Sequence, residues 1–331
     1  MNPHEYLQLP TVEEDLVVLE EKLAQSVLFG DPYLDQVTTH LIYAGGKRLR
    51  PLLAVASATG GERRATDDDL MGGIALELMH LASLYHDDVM DEAERRRNVV
   101  SVNAKWGNLL AIVAGDFLLA RSAEIAASLG IEIAGLLAAT LARLCQGQIA
   151  EVKDAFRLER TEQDYLVAIS NKTAALMATA CRIGALTAGL DREKIDLLTT
   201  YGESLGMVFQ IRDDVFDIIS TEAELGKAPA QDLAEGIYTL PVLRALNDHT
   251  VGAELHALLS GPLGAKEISA ARALVARSTG LVAATEVARD YAQQACKAAA
   301  EIGPHPMAEA LANYALSLMD DLEQSTAALA S

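Results

Sequence analysis

The sequence is poor in aromatic residues and in basic residues. Phe, Trp and Tyr make up 5% of its 331 residues, whereas half of all residues are hydrophobic. The core must therefore be built from aliphatic and small side chains, which allow the close backbone approach typical of packed helices. Lys and Arg number 27 against 47 Asp and Glu, a formal net charge of −20. Because nucleic acid is bound by extended basic surfaces, this balance argues against nucleic acid as a partner.

Several sequence signals are also missing. The three cysteines, Cys145, Cys181 and Cys296, are far apart and odd in number, so neither a disulfide framework nor a zinc site is indicated. A Gly-x-x-x-x-Gly-Lys-Ser/Thr loop is absent, which disfavours a nucleotide hydrolase. Met1 to Pro10 has no secretory-signal pattern, and the best uncharged apolar segment, Ile133 to Ala142, is shorter than a membrane-spanning helix requires. We therefore expect a cytoplasmic protein that does not span a membrane.

Most of the sequence shows the hydrophobic periodicity of helices. Amphipathic and apolar helical stretches follow one another along the chain, and glycine or proline marks several of the turns between them. Neither strand alternation nor a repeat array is visible. The sequence therefore predicts an all-α protein in which residues 1–331 form a single domain.

An acidic cluster ends one long apolar helix, which a capping box at Thr66 predicts to begin there. Asp87 and Asp91 in this cluster are four positions apart, so in a helix both carboxylates project from one face within reach of one ion. The same Asp-Asp-x-x-Asp spacing recurs near the end of another apolar helix, at Asp213, Asp214 and Asp217. One copy is common on an acidic exposed helix. Two copies predict a pair of facing acidic triads that bind metal.

Basic residues accompany the acidic clusters. Lys47 and Arg50 stand where Pro51 predicts the start of a helix, a position suited to an anion, although a solvated basic turn is the better explanation of this segment taken alone. Lys172 lies among apolar residues and must pair with an anion or lose its charge. Magnesium takes carboxylate, phosphate and water oxygens, so the combination indicates a diphosphate held by metal ions and basic side chains. Metal-assisted departure of that diphosphate inside an apolar cavity would generate a carbocation.

The order and spacing of these residues resemble those of the trans-isoprenyl diphosphate synthases, the polyprenyl synthetase family, over essentially the whole chain. The resemblance rests on the following segments: Gly45-Gly46-Lys47-Arg48-Leu49-Arg50-Pro51, His80, Asp87-Asp88-Val89-Met90-Asp91, Arg96-Arg97, Lys172-Thr173, Phe209 to Asp217, and Gly226-Lys227. It implies a large helical bundle of the isoprenoid synthase type with a central active-site cavity, a homodimer, and head-to-tail condensation of isopentenyl diphosphate with an allylic diphosphate.

The resemblance also implies residue roles. The isopentenyl diphosphate would bind to Lys47, Arg50, His80 and Arg97. The allylic substrate would bind to Arg96, Lys172 and Lys227, with Thr173 and Gln210 as further substrate-binding residues. Three magnesium ions would be held mainly by Asp87, Asp91 and Asp213, supported by Asp88, Asp214 and Asp217. The catalytic set would be Asp87, Asp91, Lys172, Asp213 and Lys227.

The chain departs from the family pattern at a few positions. Asn98 and Val100 stand where the family commonly has glycine and proline, and Ile237 stands where short-chain members often have a lysine. Leu76, Met79, Ala82 and Ser83 precede Asp87 on the same helix and are expected to line the cavity that receives the product tail. None is aromatic, and in the family bulky residues four or five positions before the first aspartate block elongation.

We therefore predict a long-chain all-trans product, roughly heptaprenyl to nonaprenyl, for quinone side chains. Replacing Ala82 with Phe should shorten it. A synthase of geranylgeranyl diphosphate is the nearest alternative. A class I terpene cyclase shares the acidic motifs, but the isopentenyl-site residues argue against it, and a non-catalytic regulatory subunit is disfavoured because both motifs are intact.

Overall fold

The computed structural model describes residue 5, residues 7–221 and residues 229–330, and the chain is helical almost throughout. The all-α prediction is confirmed. The only strands among the described residues are β1 (Arg95–Arg96) and β2 (Val99–Val100), a two-residue antiparallel pair. The helices are α1 Val12–Gln25, α2 Pro32–Thr38, α3 His40–Tyr43, α4 Leu49–Thr59, α5 Asp67–Met90, α6 Val102–Trp106, α7 Asn108–Leu129, α8 Ile131–Asp154, α9 Glu162–Ile169, α10 Ala175–Thr187, α11 Arg192–Ile219, α12 Gln231–Ala234, α13 Leu240–Leu246, α14 Gly252–Leu259, α15 Ala265–Ala276, α16 Gly280–Glu301 and α17 Pro306–Ala330.

The chain forms two compact units, and several long helices run from one into the other. The first unit comprises Met1–Leu141, Leu176–Thr199 and Ala299–Leu311. The second comprises Ala142–Ala175, Thr200–Ala298 and Ala312–Ser331. The first acidic cluster therefore belongs to the first unit and the second cluster to the second unit.

Helix α5 is the central helix of the first unit. It begins at the predicted capping box, in which Thr66 and Asp69 satisfy each other's backbone N–H groups. It is buried on most sides, packed chiefly against α7 and α4. The Tyr85 hydroxyl donates to the Val37 carbonyl at 2.7 Å and so fixes the last turns of α5 to α2. The acidic cluster is thus carried at the end of a rigid element.

In the second unit, a π-helical turn interrupts the helix that follows Thr161. This turn, Ser170–Ala174, contains Lys172 and Thr173 and lies between α9 and α10. Arg143 donates to the Ser170 carbonyl at 3.1 Å and to the Glu203 carboxylate at 2.7 Å, which braces the turn against α11. Turns of this kind widen a helix locally and frequently carry functional residues.

Helix α8 is long and apolar enough to cross a bilayer by length and composition alone. The 18-residue window that meets this test has a mean hydropathy of 1.3, and 28% of the window is buried. Core helices of soluble proteins pass the same test, so the finding is weak evidence for a membrane span. The expectation that the protein does not span a membrane stays a prediction.

Candidate active site

The first acidic cluster presents two of its three carboxylates to solvent. Asp87 is partly exposed and Asp91, which ends α5, is fully exposed, whereas Asp88 has no exposed surface. Arg96, on β1, donates to Asp88 through Nε at 2.7 Å, and its terminal nitrogen lies 2.7 Å from the same carboxylate oxygen. Burial raises the pKa of Asp88, and the Arg96 charge opposes that rise. Asp88 therefore joins α5 to the β1–β2 hairpin, while Asp87 is partly exposed and Asp91 is exposed to solvent.

The second acidic cluster presents Asp213, whose side chain is half exposed. Asp214 is buried, where it accepts hydrogen bonds from the Tyr165 hydroxyl at 2.5 Å and from Gln210 Nε2 at 2.8 Å. Gln210 in turn accepts from the Thr173 hydroxyl at 2.6 Å. Burial, with the Asp232 charge second, raises the pKa of Asp214 well above its usual value. The network ties α11 to α9 and to the π-helical turn.

The third aspartate of this cluster is also engaged by protein. Asp217 is buried, and its carboxylate accepts the Asp232 backbone N–H at 3.3 Å. Its backbone carbonyl accepts the Ala230 N–H at 2.9 Å. Asp217 therefore fixes the start of α12 to the end of α11.

The donors fit a hard divalent cation that takes part of its coordination from substrate. Each acidic cluster, taken by itself, presents carboxylate oxygens, the ligands that magnesium prefers: Asp87 and Asp91 in the first unit and Asp213 in the second. Asp88 Oδ2 is buried and makes no hydrogen bond within the described part of the chain. Among the described residues, no group of three or more His, Cys, Asp or Glu side chains forms a ready-made cage. Magnesium bound through few carboxylates and completed by phosphate and water is consistent with this arrangement.

The basic residues predicted to bind isopentenyl diphosphate surround the middle of α5. Lys47 is exposed at the turn before α4, and Arg50 and His80 are partly buried. Arg97 donates to the Leu41 carbonyl at 2.9 Å and to the Gly45 carbonyl. Burial, then the charges of neighbouring arginines with Arg50 first, lowers the pKa of His80 well below its usual value. His80 is therefore neutral at pH 7.

Gly46 explains how the turn and the hairpin come together. Its φ of +151° lies in a region that other residues rarely adopt, and a Cβ there would lie 3.0 Å from the Arg97 guanidinium carbon. A side chain at this position would displace Arg97. The glycine therefore allows Arg97 to pack flat against the turn that carries Lys47.

The predicted allylic-site lysines fall into two cases. Lys172 is partly buried and donates to Glu151 at 2.5 Å, so the anion that its apolar surroundings require is supplied by α8. Lys227, with Gly226, lies outside the described residues. The assignments of both lysines to the allylic diphosphate stay predictions.

The four predicted tail-contacting residues differ in exposure. Ser83 is partly exposed on the same face of α5 as His80 and Asp87, and its hydroxyl donates to the His80 carbonyl at 2.8 Å. Leu76 and Met79 are buried, and Ala82 has no exposed surface. Ala82 precedes by one turn His86, which contacts α7 at the Ile112 carbonyl, 3.2 Å away. Ser83 therefore borders the open face directly, whereas Ala82 lies on the side of α5 that faces α7.

Sequence reasoning missed three residues that fix the functional side chains. These are Glu77, which contacts Arg48, Glu151, which contacts Lys172, and Tyr165, which contacts Asp214. The sequence did contain evidence for the role of Glu77, because a carboxylate three positions before His80 in an apolar helix needs a buried cationic partner. The sequence contained no such evidence for Glu151 or Tyr165, since their partners are distant in sequence and only the fold brings them together.

Comparisons with known proteins agree on one family. The family model described as polyprenyl synthetase matches residues 31–275, a range that includes both acidic clusters. The nonaprenyl diphosphate synthase of Mycobacterium tuberculosis is 39% identical over 279 residues, 84% of this chain and 83% of the relative. Component 2 of the heptaprenyl diphosphate synthase of Geobacillus stearothermophilus is 42% identical over 250 residues, 75% of this chain and 77% of the relative. A polyprenyl synthase structure from Caulobacter crescentus, complexed with calcium and isoprenyl diphosphate, matches with a TM-score of 0.87 and 32% identity, covering 95% of this chain and 97% of that chain.

Proposed function

The chain belongs to the polyprenyl synthetase family and is a trans-prenyltransferase, and from this premise we propose that it condenses isopentenyl diphosphate head-to-tail with an allylic diphosphate. The proposed product is a long-chain all-trans-polyprenyl diphosphate of roughly heptaprenyl to nonaprenyl length, a precursor of quinone side chains. The observation that carries the proposal is that the end of α5 presents the partly exposed Asp87 and the exposed Asp91, with the small side chain of Ser83 one turn before Asp87 on the same face. Relatives named for nonaprenyl and heptaprenyl products support the chain length.

The nucleophilic substrate, isopentenyl diphosphate, binds to Lys47, Arg50, His80 and Arg97. The two arginines offer forked N–H donors that match phosphate oxygens. His80, kept neutral by burial and by the surrounding arginine charges, donates one ring N–H. These contacts hold the substrate so that its double bond can approach the allylic carbon without free diffusion.

The allylic diphosphate is held by Arg96, Lys172, Lys227 and the open aspartates. Asp87, Asp91 and Asp213 provide the carboxylate oxygens for magnesium, and we propose three ions per active site. When bound, magnesium stabilises the negative charge that grows on the diphosphate as it leaves. The allylic carbon–oxygen bond breaks, the isopentenyl π electrons form the new carbon–carbon bond, and the proton lost from the adjacent carbon passes to the released diphosphate.

The residues around the reacting carbon keep these groups in place. Thr173 and Gln210 are hydrogen-bonded to each other and presented by the π-helical turn and α11. Asp88, Asp214 and Asp217 hold the ends of the two acidic helices through protein contacts rather than through substrate. In this proposal the buried aspartates restrain the backbone beside the solvent-exposed carboxylate of each cluster, and the exposed carboxylate binds metal.

The enzyme works as a cytoplasmic homodimer in this proposal. Helix α7 exposes an uncharged apolar strip at its N-terminal end, where Leu109 is 76% and Val113 is 55% exposed. Single exposed apolar residues are ordinary, but a strip of them on one helix is typical of an interface between subunits. A relative named as component 2 of a synthase makes a second, different subunit the alternative.

Incubation of the purified protein with magnesium, isopentenyl diphosphate and allylic primers tests the proposal. Chromatography of the dephosphorylated products should show chains of about seven to nine prenyl units, and light scattering should give the mass of two chains. Products that stop at geranylgeranyl length would establish the shorter-chain alternative. A cyclised product made without isopentenyl diphosphate would identify a terpene cyclase, and elongation only after a second protein is added would show that the chain is one subunit of a heteromeric synthase.

A further inference from the structure

One buried carboxylate lies among the residues assigned to isopentenyl diphosphate. Glu77 is on α5, three residues before His80, and is 2% exposed. Its Oε1 atom accepts a hydrogen bond from Arg48 at 3.1 Å and lies 4.0 Å from a terminal nitrogen of Arg97. Burial raises the pKa of Glu77, and the charges of Arg48, Arg50 and Arg97 oppose the rise. Glu77 is thus the buried carboxylate that interacts with all three arginines, and Glu20 supplies a second, more exposed carboxylate to Arg48.

Arg48 connects Glu77 to the turn that carries Lys47. Arg48 is buried and has a left-handed backbone, with φ of +46°. Its guanidinium donates to the Ile42 carbonyl at 2.9 Å and to Glu20 on α1 through Nε at 2.6 Å. These contacts fix the backbone on either side of Gly45 and Gly46. The carboxylate of Glu77 therefore anchors that turn from inside the protein.

Glu77 also sets where Arg97 lies. Arg97 belongs to the β1–β2 connection, also has a left-handed backbone, with φ of +51°, and reaches back to the carbonyls of Leu41 and Gly45. Burial lowers the pKa of both Arg50 and Arg97; repulsion from Arg97 lowers the pKa of Arg50 further, and repulsion from Arg48 and Arg96 lowers that of Arg97, so like charges are held close together in this part of the protein. A buried carboxylate beside both offsets this repulsion.

We propose that Glu77 is the positioning residue of the isopentenyl diphosphate site: through Arg48 and Arg97 it holds the basic turn and the hairpin at the separation that the diphosphate requires. This inference rests on the proposed function and adds a residue that does not itself contact substrate. Two effects compete. A negative charge near the site weakens the attraction for an anion, whereas a fixed set of donors lowers the cost of binding it. Because Glu77 is enclosed by arginines, their charges largely neutralise its electrostatic repulsion of the substrate. We infer that its positioning of the donors has the larger effect on binding.

Steady-state kinetics of Glu77→Gln separate the two effects. The substitution keeps the size of the side chain and removes its charge, so the KM for isopentenyl diphosphate should rise about tenfold, the equivalent of one charge-assisted hydrogen bond. The KM for the allylic substrate should stay within about twofold, because the residues assigned to that site do not include Arg48 or Arg97. An unchanged or lower KM for isopentenyl diphosphate would overturn the proposal.

Asp69→Asn is the matched control. Asp69 is also a buried carboxylate of α5 paired with an arginine, Arg63, but it lies two turns closer to the start of the helix. It should lower the melting temperature and leave both KM values unchanged. If Glu77→Gln behaves like this control, Glu77 is merely structural and the proposal fails.

Glu77→Asp covers the case in which Glu77→Gln does not fold. It retains the charge but withdraws the carboxylate by one methylene, which breaks the 3.1 Å contact with Arg48. The KM for isopentenyl diphosphate should rise at least about threefold, and an unchanged value would overturn the proposal. Absence of any condensation by the wild-type protein would instead refute the proposed function.

Discussion

The substitution Ser83→Phe should convert the protein into a short-chain synthase. Ser83 lies one turn before Asp87 on the same face of α5, is partly exposed, and donates its hydroxyl to the His80 carbonyl. A phenylalanine at this position would project from the partly exposed face of the helix that also carries Asp87. It would therefore obstruct the path of a tail that runs from Asp87 along α5.

The expected length follows from the dimensions of the helix. Each prenyl unit adds four carbon–carbon bonds of about 1.5 Å and extends the tail by about 5 Å, close to the 5.4 Å pitch of an α-helix. From Asp87 back to Asp67, where α5 begins, the helix rises by about 30 Å, so it can accompany about six prenyl units beyond the carboxylates. A block about 6 Å along the helix from Asp87 leaves room for only the first units beyond the diphosphate. We expect products of no more than about four prenyl units.

The assay is chromatography of dephosphorylated products formed from labelled isopentenyl diphosphate. Ser83→Ala is the control, because it removes the hydroxyl without adding bulk and should leave the product length unchanged. Ala82→Phe should also shorten the product, but its side chain has no exposed surface to expand into, so overpacking should cost about 1–3 kcal/mol of stability. Wild-type product lengths from Ser83→Phe would show that the tail does not follow this face of α5.

Three further predictions concern the metal ligands, a buried network and pH. Asp87→Ala or Asp213→Ala should lower kcat about a thousandfold or more, with helical circular dichroism unchanged, and near-normal turnover in either variant would refute its metal role. Tyr165→Phe leaves an oxygen of the buried Asp214 without its donor and should lower the free energy of unfolding in urea by about 1–3 kcal/mol, whereas wild-type stability would show that this bond contributes nothing. The pKa of His80 in the folded protein lies well below 6.5, so the unfolded chain binds more protons and stability falls as pH drops below 6.5, by up to about 1.4 kcal/mol per pH unit. His80→Gln should remove that part of the slope, and an identical slope in the variant would show that folding does not shift the pKa of His80.

The sequence predicted the helices well where their signals are local. The capping box predicted at Thr66 is present in the structure, because it depends on residues three positions apart, and a second capping box of the same kind forms at Thr161. The π-helical turn at Lys172 was not predicted. It depends on the bracing contacts of Arg143 with Ser170 and Glu203, which are far apart in sequence, and on Gly147, where a Cβ would lie 2.9 Å from the Lys172 backbone nitrogen.

The sequence predicted which residues form the site but not which protein side chains pair with them. Helical spacing placed Asp87 and Asp91 on one face, and in the structure Asp87 is partly exposed to solvent and Asp91 is exposed. The same spacing could not show that Arg96 is already bound to Asp88, or Lys172 to Glu151, before substrate arrives. A diphosphate must therefore compete with a carboxylate for each of these cations, and the sequence contained no measure of that competition.

The first two residues of the repeated Asp-Asp-x-x-Asp motif have different environments: the first has exposed surface and the second is buried. Successive residues of a helix point about 100° apart, so when the first carboxylate faces solvent the second must face the protein. Asp87 and Asp213 take the exposed position, and Asp88 and Asp214 take the buried one, where Arg96 and Tyr165 respectively fix them. A carboxylate that binds a metal needs a backbone that does not move, and the neighbouring buried carboxylate supplies that restraint. The third aspartate differs, exposed at Asp91 and buried at Asp217, so the two copies share a fixed first pair and diverge where each helix ends.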